Sequence, residues 1–222
     1  MKRGLKGILL AALLITCWAG CKKEDAPGQD GVSMHIYGTD AIDLGSALVQ
    51  TSDGGFAIAG SMTNVEDSLA DEDLLLIRTN GNGELIWKKT FPSLGRDRAE
   101  DMLLLADGGF LIVGQQADGL LGNVDLLVMR TDAAGEVVWS RNFGGAREDF
   151  GTAIIQTTDG NFVAVGYTAS LGVNASAIYP NLLAVKLHEN GNEIWTKAYG
   201  GTNEERAFGV SATADGGVAI VG

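Results

Sequence analysis

A short motif, Asp-Gly-Gly or Asp-Gly-Asn followed by an apolar residue, occurs four times at intervals of 52 to 56 residues, and it restricts the fold more than any other feature of the sequence. A tryptophan column accompanies it, each indole lying four residues after a glycine and nine after a basic residue. The motif begins at Asp53, Asp107, Asp159 and Asp215, and the tryptophans are Trp87, Trp139 and Trp195. Self-similarity at such a period indicates one supersecondary unit repeated along the chain.

Each unit contains the pattern of four β-strands. An apolar run precedes the Asp-Gly turn, a second run follows it, and a third run leads through a Gly-rich turn into the segment that carries the tryptophan. The Asp-Gly dipeptide supplies the positive-φ positions of a tight hairpin. The first runs are residues 47–51, 102–106, 153–157 and 210–214, and the second runs end at Gly60, Gly114, Gly166 and Gly222. Because no helical period is sustained after residue 30, the sequence predicts an all-β protein.

Four strands in a unit of this length are typical of a β-propeller, in which each blade buries both faces against its neighbours. We predict antiparallel four-stranded blades over residues 33–222, with units beginning near residues 46, 101, 152 and 209. We expect the tryptophans to pack between blades. A further strand is predicted near residues 33–37. The last unit stops after its second strand, which gives about 3.5 blades, so we expect a fragment of a larger ring.

The units resemble bacterial secreted propeller repeats, in which Asp-Gly-Gly-aromatic is followed by Gly, Asp, a base, Gly and Trp. The resemblance covers residues 37–222. The units are also similar to quinoprotein-type blades, whose Gly-x-x-x-Trp docking motif recurs at residues 83–87 and 135–139. No quinone-binding constellation accompanies the motif, so we expect no cofactor.

The N-terminus has the pattern of a secretory signal. Basic residues precede an apolar run over residues 7–20, which is too short to cross about 30 Å of hydrocarbon and ends in Ala19-Gly20-Cys21. This segment resembles the lipobox of bacterial lipoproteins. The resemblance implies a signal peptide over residues 1–20 and an acylated, palmitate-bearing Cys21, followed by a polar tether over residues 21–32. The residues that resemble an export signal to the outer face of the outer membrane are Lys23, Glu24 and Asp25.

Charge and motif content exclude several functions. The formal net charge of -12 argues against nucleic-acid binding, because no basic excess is present to displace counterions from phosphates. The two histidines have no repeat relation to a nucleophile, and no metal-ligand motif occurs. We therefore predict neither a catalytic nor a metal site, although the many acids leave open a cell-surface glycosidase or lyase that acts on polysaccharide.

An acidic residue recurs at the same offset in every link between units. Carboxylates in this column could hold a cation, or they could accept main-chain N–H groups at a turn, and we favour the second interpretation. Arginines beside the column are expected to pair with these acids. The acids are Asp43, Asp97, Asp149 and Glu205, and the arginines are Arg96, Arg98, Arg147 and Arg206.

Length variation is confined to the segments between the second and third strands. These are residues 61–72, 115–124 and 167–180, which contain 12, 10 and 14 residues. Insertions on one face of a repeat protein commonly mark its binding face. We therefore predict a surface-anchored, non-catalytic protein that binds a glycan or protein ligand there. The ligand contacts expected from the longest segment are Tyr167, Asn174 and Tyr179.

Overall fold

The computed structural model describes residues 34–38, 42–63, 72–93, 95–117, 119 and 122–222. The chain divides into two compact units, residues 1–36 and 37–222, and the second contains every described strand. Each regular element among the described residues is a β-strand, which confirms the all-β class. No helix within the described ranges has the length and hydropathy needed to cross a membrane. The predicted signal peptide, Cys21 and the export signal lie outside these ranges.

In the described part of the chain, fourteen strands form three four-stranded antiparallel sheets and one hairpin, and each sheet follows chain order. Sheet 1 contains β1 Asp43–Gln50, β2 Phe56–Thr63, β3 Glu72–Thr79 and β4 Leu85–Phe91. Sheet 2 contains β5 Arg98–Leu104, β6 Phe110–Ala117, β7 Val124–Thr131 and β8 Val137–Phe143. Sheet 3 contains β9 Asp149–Gln156, β10 Phe162–Thr168, β11 Asn181–Leu187 and β12 Glu193–Tyr199. The hairpin contains β13 Gly209–Ala212 and β14 Val218–Val221.

The predicted strands lie in the right places, but the pairing extends further than the sequence indicated. In sheets 1 to 3 the first strands begin four residues before the apolar runs, and the second strands continue past the glycine that ends each run. The strand predicted near residues 33–37 is wrong for its described part, because residues 34–38 are in no strand. Instead, the Tyr37 hydroxyl donates a hydrogen bond to the Gly83 carbonyl at 2.5 Å.

The central strands are apolar without interruption because both of their faces are buried. In β6, Phe110 and Ile112 pack into a core shared with sheet 1, whereas Leu111 and Val113 pack into a core shared with sheet 3. All four side chains are fully buried. Successive side chains of a strand point to opposite faces, so an unbroken apolar run indicates a sheet covered on both sides. A third core joins sheet 3 to the β13–β14 hairpin.

Each tryptophan of the first two units packs against the glycine that lies four residues before the next tryptophan. A β-carbon on Gly135 would lie 2.8 Å from the Trp87 ring, and one on Gly191 would lie 2.7 Å from the Trp139 ring. The Trp139 indole N–H also donates to the Glu189 carbonyl at 3.1 Å. The Gly-x-x-x-Trp motif therefore links consecutive sheets. Its glycine contacts the tryptophan of the preceding unit, and its tryptophan contacts the glycine of the following unit.

The repeated aspartates form the hairpin turns and anchor them to the third strand. Asp53 accepts hydrogen bonds from the Thr51 hydroxyl at 2.7 Å and the Gly55 N–H at 3.2 Å, and it pairs with Arg78 at 2.6 Å. Gly54, between them, has a φ of 82°, which favours glycine. The equivalent ion pairs in the next units join Asp107 to Arg130 and Asp159 to Lys186.

We expect this turn to lose stability in acid. Hydrogen bonds from Thr51 and Arg78, and then from the Gly55 N–H, lower the pKa of Asp53 to about 2. Because this pKa is below the unfolded value of about 3.9, the contribution of the turn is complete above roughly pH 4 and is lost as the pH falls toward the folded pKa. A carboxyl-carbon NMR titration should give a midpoint near pH 2, and Thr51→Val should raise it. A wild-type midpoint near 4 would contradict the assignment.

Candidate functional site

The antiparallel topology places two different candidate surfaces at opposite ends of sheet 3. The β9–β10 and β11–β12 turns lie at one end, called here the turn end. The connection between β10 and β11, called here loop 169–180, lies at the other.

Loop 169–180 is held in place by hydrogen bonds to its main chain. The Arg147 guanidinium donates to the carbonyls of Ala169 at 3.3 Å and Ala175 at 3.1 Å. The Asn181 amide donates to the carbonyls of Leu171 at 2.9 Å and Val173 at 3.2 Å. Side chains outside the loop therefore bind main-chain groups at four positions along it, so the loop has a defined shape.

This ordered loop exposes apolar side chains. Val173, Ile178 and Tyr179 expose 69%, 72% and 47% of their surface. Asn174 lies beside Val173 with a φ of 58°, a left-handed conformation that asparagine tolerates better than most residues. The structure thus places the predicted contacts Asn174 and Tyr179 on this loop, together with two apolar residues that the sequence analysis did not select.

The prediction that Tyr167 belongs to the variable segment is wrong, because Tyr167 lies in β10, paired with Leu182 and Phe150. Its ring stacks on Phe150 with 4.7 Å between centroids, and the Arg206 guanidinium carbon lies 4.4 Å from the ring centroid. Burial raises the pKa of the Tyr167 hydroxyl. Phe150 and Arg206 therefore contact the ring within the fold, and a role of Tyr167 in ligand binding stays a prediction.

A polar cleft of about 670 Å³ lies at the turn end, and we call it the turn-end cleft. Within it, His188 Nδ1 lies 3.2 Å from Asn161 Oδ1, and Arg130 donates to the Glu189 carbonyl at 3.1 Å. The lining residues are Arg130, Asp159, Gly160, Asn161, His188, Glu189, Asn190 and Asn192. All of these residues except Gly160 have polar side chains, which offer hydrogen bonds to a polar ligand.

The third unit departs from the repeat at the two residues in contact in this cleft. Asn161 stands where the other units have Gly55, Gly109 and Gly217, and His188 stands where they have Asn80 and Asp132. In the first unit glycine is needed, because a β-carbon on Gly55 would lie 2.2 Å from the Thr79 carbonyl. Sequence reasoning missed this site, although the departure from the repeat is visible in the sequence.

Asp159 in the turn-end cleft does not have the properties of the proton-donating acid of a glycosidase pair. The pKa of this carboxyl is held well below its usual range, first by Lys186 and then by the Thr157 hydroxyl. Asp159 is therefore ionised at neutral pH and unsuited to donate a proton, whereas the acid of such a pair needs a raised pKa.

Three of the four acids in the inter-sheet links accept hydrogen bonds from the main chain. Asp97 accepts the Ala117 N–H at 3.0 Å, Asp149 the Gly145 N–H at 2.8 Å, and Glu205 the Gly201 N–H at 3.2 Å. We expected the neighbouring arginines to pair with these acids. This expectation is wrong for two arginines, which form ion pairs with acids outside the column. Those ion pairs are Arg98 with Glu72 and Arg206 with Glu204.

Comparisons with known proteins give little further information. No family model and no curated protein matches the chain. Among solved structures, the chain is similar to a crystal structure of the eukaryotic initiation factor, with a TM-score of 0.42 and 9% sequence identity. That similarity covers 75% of this chain and 35% of the other, so the chain spans about a third of its length. Neither the fold class nor the function rests on this similarity.

Proposed function

We propose that this chain is a surface-anchored, non-catalytic β-propeller lipoprotein that binds an extracellular protein through loop 169–180. The lipobox-like segment supports acylation of Cys21, and the acids after Lys23 support export to the outer face of the outer membrane. An acidic body gains nothing from anionic headgroups, so attachment comes from the acyl chains, at about 0.8 kcal/mol per buried CH₂. Replacing Cys21 by serine should abolish palmitate labelling and release the protein from the membrane fraction.

The propeller assignment rests on the way the sheets follow one another. The first strands of successive sheets, β1, β5, β9 and β13, contact each other in order, and an indole joins the outer strand of one sheet to the next. Leu48 on sheet 1 and Val221 on the hairpin expose 63% and 67% of their surface. Further blades would cover these two faces, as the ring of a propeller does.

The observation that carries the binding function is the apolar surface of an ordered loop. Loops are usually polar, and hydrogen bonds already fix the main chain of this loop, so a partner that covers Val173, Ile178 and Tyr179 has little further main chain to order. Two aliphatic side chains beside one aromatic favour a protein surface, because glycan sites rely on aromatic faces and polar donors.

A double variant tests this assignment. Ile178→Ser with Tyr179→Ser removes most of the apolar surface without touching the bonds from Arg147 and Asn181. On cells that display the full chain, we expect capture from an array of extracellular proteins to fall at least about tenfold, as for hot-spot residues. The control is Val137→Ser with Val138→Ser, two exposed residues of β8 outside the loop. Equal capture by both double variants would contradict the proposal.

A glycan is the second candidate ligand, and the turn-end cleft favours it. Asn161 adds an amide where the other units have glycine, and His188 adds an imidazole where they have Asn or Asp. Restoring the repeat with Asn161→Gly should then weaken binding on a polysaccharide array while leaving protein capture unchanged. Release of new reducing ends by the wild-type protein would instead support the alternative of a polysaccharide-cleaving enzyme.

A further inference from the structure

Two carboxylates meet at the junction of sheets 2 and 3. Asp125 lies near the start of β7, and Asp149 is the first residue of β9. Asp125 Oδ1 and Asp149 Oδ2 each lie 2.3 Å from the position that a β-carbon on Gly144 would occupy, so the two oxygens are no more than twice that distance apart. Any side chain at position 144 would fill the space that they face.

Asp149 is fully buried, but only one of its two carboxylate oxygens has a hydrogen-bond partner. Its relative exposure is 0%. Oδ2 accepts the Gly145 N–H at 2.8 Å, but Oδ1 is buried with no hydrogen-bond partner. Transfer of an ionised carboxylate from water to the protein interior is strongly unfavourable without compensation, so buried charges are normally paired or bound to a metal.

The equivalent junction between sheets 1 and 2 satisfies its acid in another way. There, Asp97 Oδ1 accepts the Ala117 N–H at 3.0 Å and Oδ2 accepts the Gln116 amide at 3.2 Å. In the third sheet, Ala169 occupies the position of Ala117, but its N–H donates to the Glu148 carbonyl at 2.9 Å. The main-chain N–H that would correspond to the donor of Asp97 therefore does not bond to Asp149, and Asp149 Oδ1 can accept another partner.

Arg147, two residues before Asp149 in the chain, directs its charge to the main chain of a loop. Arg147 directs its guanidinium to the carbonyls of Ala169 and Ala175 in loop 169–180. At the next junction, Asn181 replaces the aspartate that faces the link, and its Oδ1 and Glu205 Oε2 lie 1.9 and 2.8 Å from the β-carbon position of Gly200. Asn181 Oδ1 is also buried with no hydrogen-bond partner, but an amide carries no charge, whereas the junction of sheets 2 and 3 has two carboxylates.

We propose that Asp125 and Asp149 form a binding site for a calcium ion that joins sheets 2 and 3. Nowhere in the described ranges do three acidic, His or Cys side chains group as metal ligands, so the proposal requires main-chain carbonyls and water to complete the coordination shell. Calcium accepts such mixed, irregular oxygen ligands, whereas magnesium requires near-ideal octahedral geometry. Gly144 is partly exposed and Gly145 is exposed, so the ion has a short path from solvent.

Calorimetry and thermal unfolding of the full chain test the site, with calcium chloride as the probe. Titration should give one calcium per chain, and 10 mM calcium should raise the Tm by about 5 °C, as expected when the ion is present well above its dissociation constant. Asp149→Asn and Asp125→Asn should each abolish the titration signal and the Tm rise. Asp73→Asn, at the equivalent position of sheet 1, should retain both.

The alternative to a calcium ion is a proton shared by the two carboxylates. The same measurements distinguish these two possibilities. In that case calcium would leave the wild-type Tm unchanged, and Asp125→Asn would raise the Tm in calcium-free buffer. Either that pattern, or a calcium response that survives both aspartate variants, would overturn the proposal. If Asp149→Asn does not fold, the titration of Asp125→Asn decides the question alone.

Discussion

Replacing Trp139 by alanine is expected to lower the free energy of unfolding by about 3–5 kcal/mol, as for other large aromatic residues removed from a core. Trp139 is 8% exposed and belongs to the core shared by sheets 2 and 3. Its removal opens a cavity beside Gly191 and deletes the indole hydrogen bond to the Glu189 carbonyl. Urea unfolding, followed by circular dichroism, measures the change.

Val138→Ala is the matched control for this prediction. Val138 is the preceding residue of β8 and exposes 56% of its surface, so its truncation should change the unfolding free energy by no more than about 0.5 kcal/mol. A Trp139→Ala variant as stable as Val138→Ala would show that the indole does not join the two sheets.

Replacing Gly166 by alanine is expected to cost about 3 kcal/mol or more, enough to remove much of the stability of a typical domain. A β-carbon at this position would lie 1.7 Å from the Phe150 carbonyl oxygen, which is main chain and part of the β9–β10 pairing. The strands must separate locally to admit the methyl group. The midpoint of urea unfolding, compared with wild type, reports the loss.

Gly160→Ala distinguishes this contact from the general effect of removing a glycine. Gly160 has a φ of 80° in the neighbouring turn, and a β-carbon there would meet nothing within 4 Å. We expect a cost of only about 1–2 kcal/mol, from the left-handed backbone alone. If Gly166→Ala were no worse than Gly160→Ala, the close approach of the first strand would not be the reason that this column is glycine.

The repeat made most of the fold predictable, because its spacing expresses packing on both faces of each sheet. The Asp-Gly turns located the hairpins, and unbroken apolar runs such as residues 110–113 located the central strands. The ends of the strands were less predictable. Tyr167 was assigned to a loop because the sequence places it after Gly166, yet main-chain pairing with Leu182 continues through it.

The candidate sites were predicted less well, because they depend on contacts between units that are distant in sequence. The pairing of His188 with Asn161 joins two turns of sheet 3. The approach of Asp125 to Asp149 depends on Gly144 in the link between them. A comparison of the units would have identified Asn161 and His188 as departures, but nothing in the sequence indicates that Ala169 bonds to Glu148 instead of to the carboxylate.

Distances between equivalent turns test the propeller most directly. In a background with Cys17→Ser and Cys21→Ser, spin labels can be placed in pairs at three exposed turn residues, through Asn82→Cys, Ala134→Cys and Asn190→Cys. Blades arranged around an axis predict two similar neighbouring distances and a distance between the first and third labels clearly shorter than their sum. Labels on a straight line, with the outer distance equal to that sum, would contradict the account.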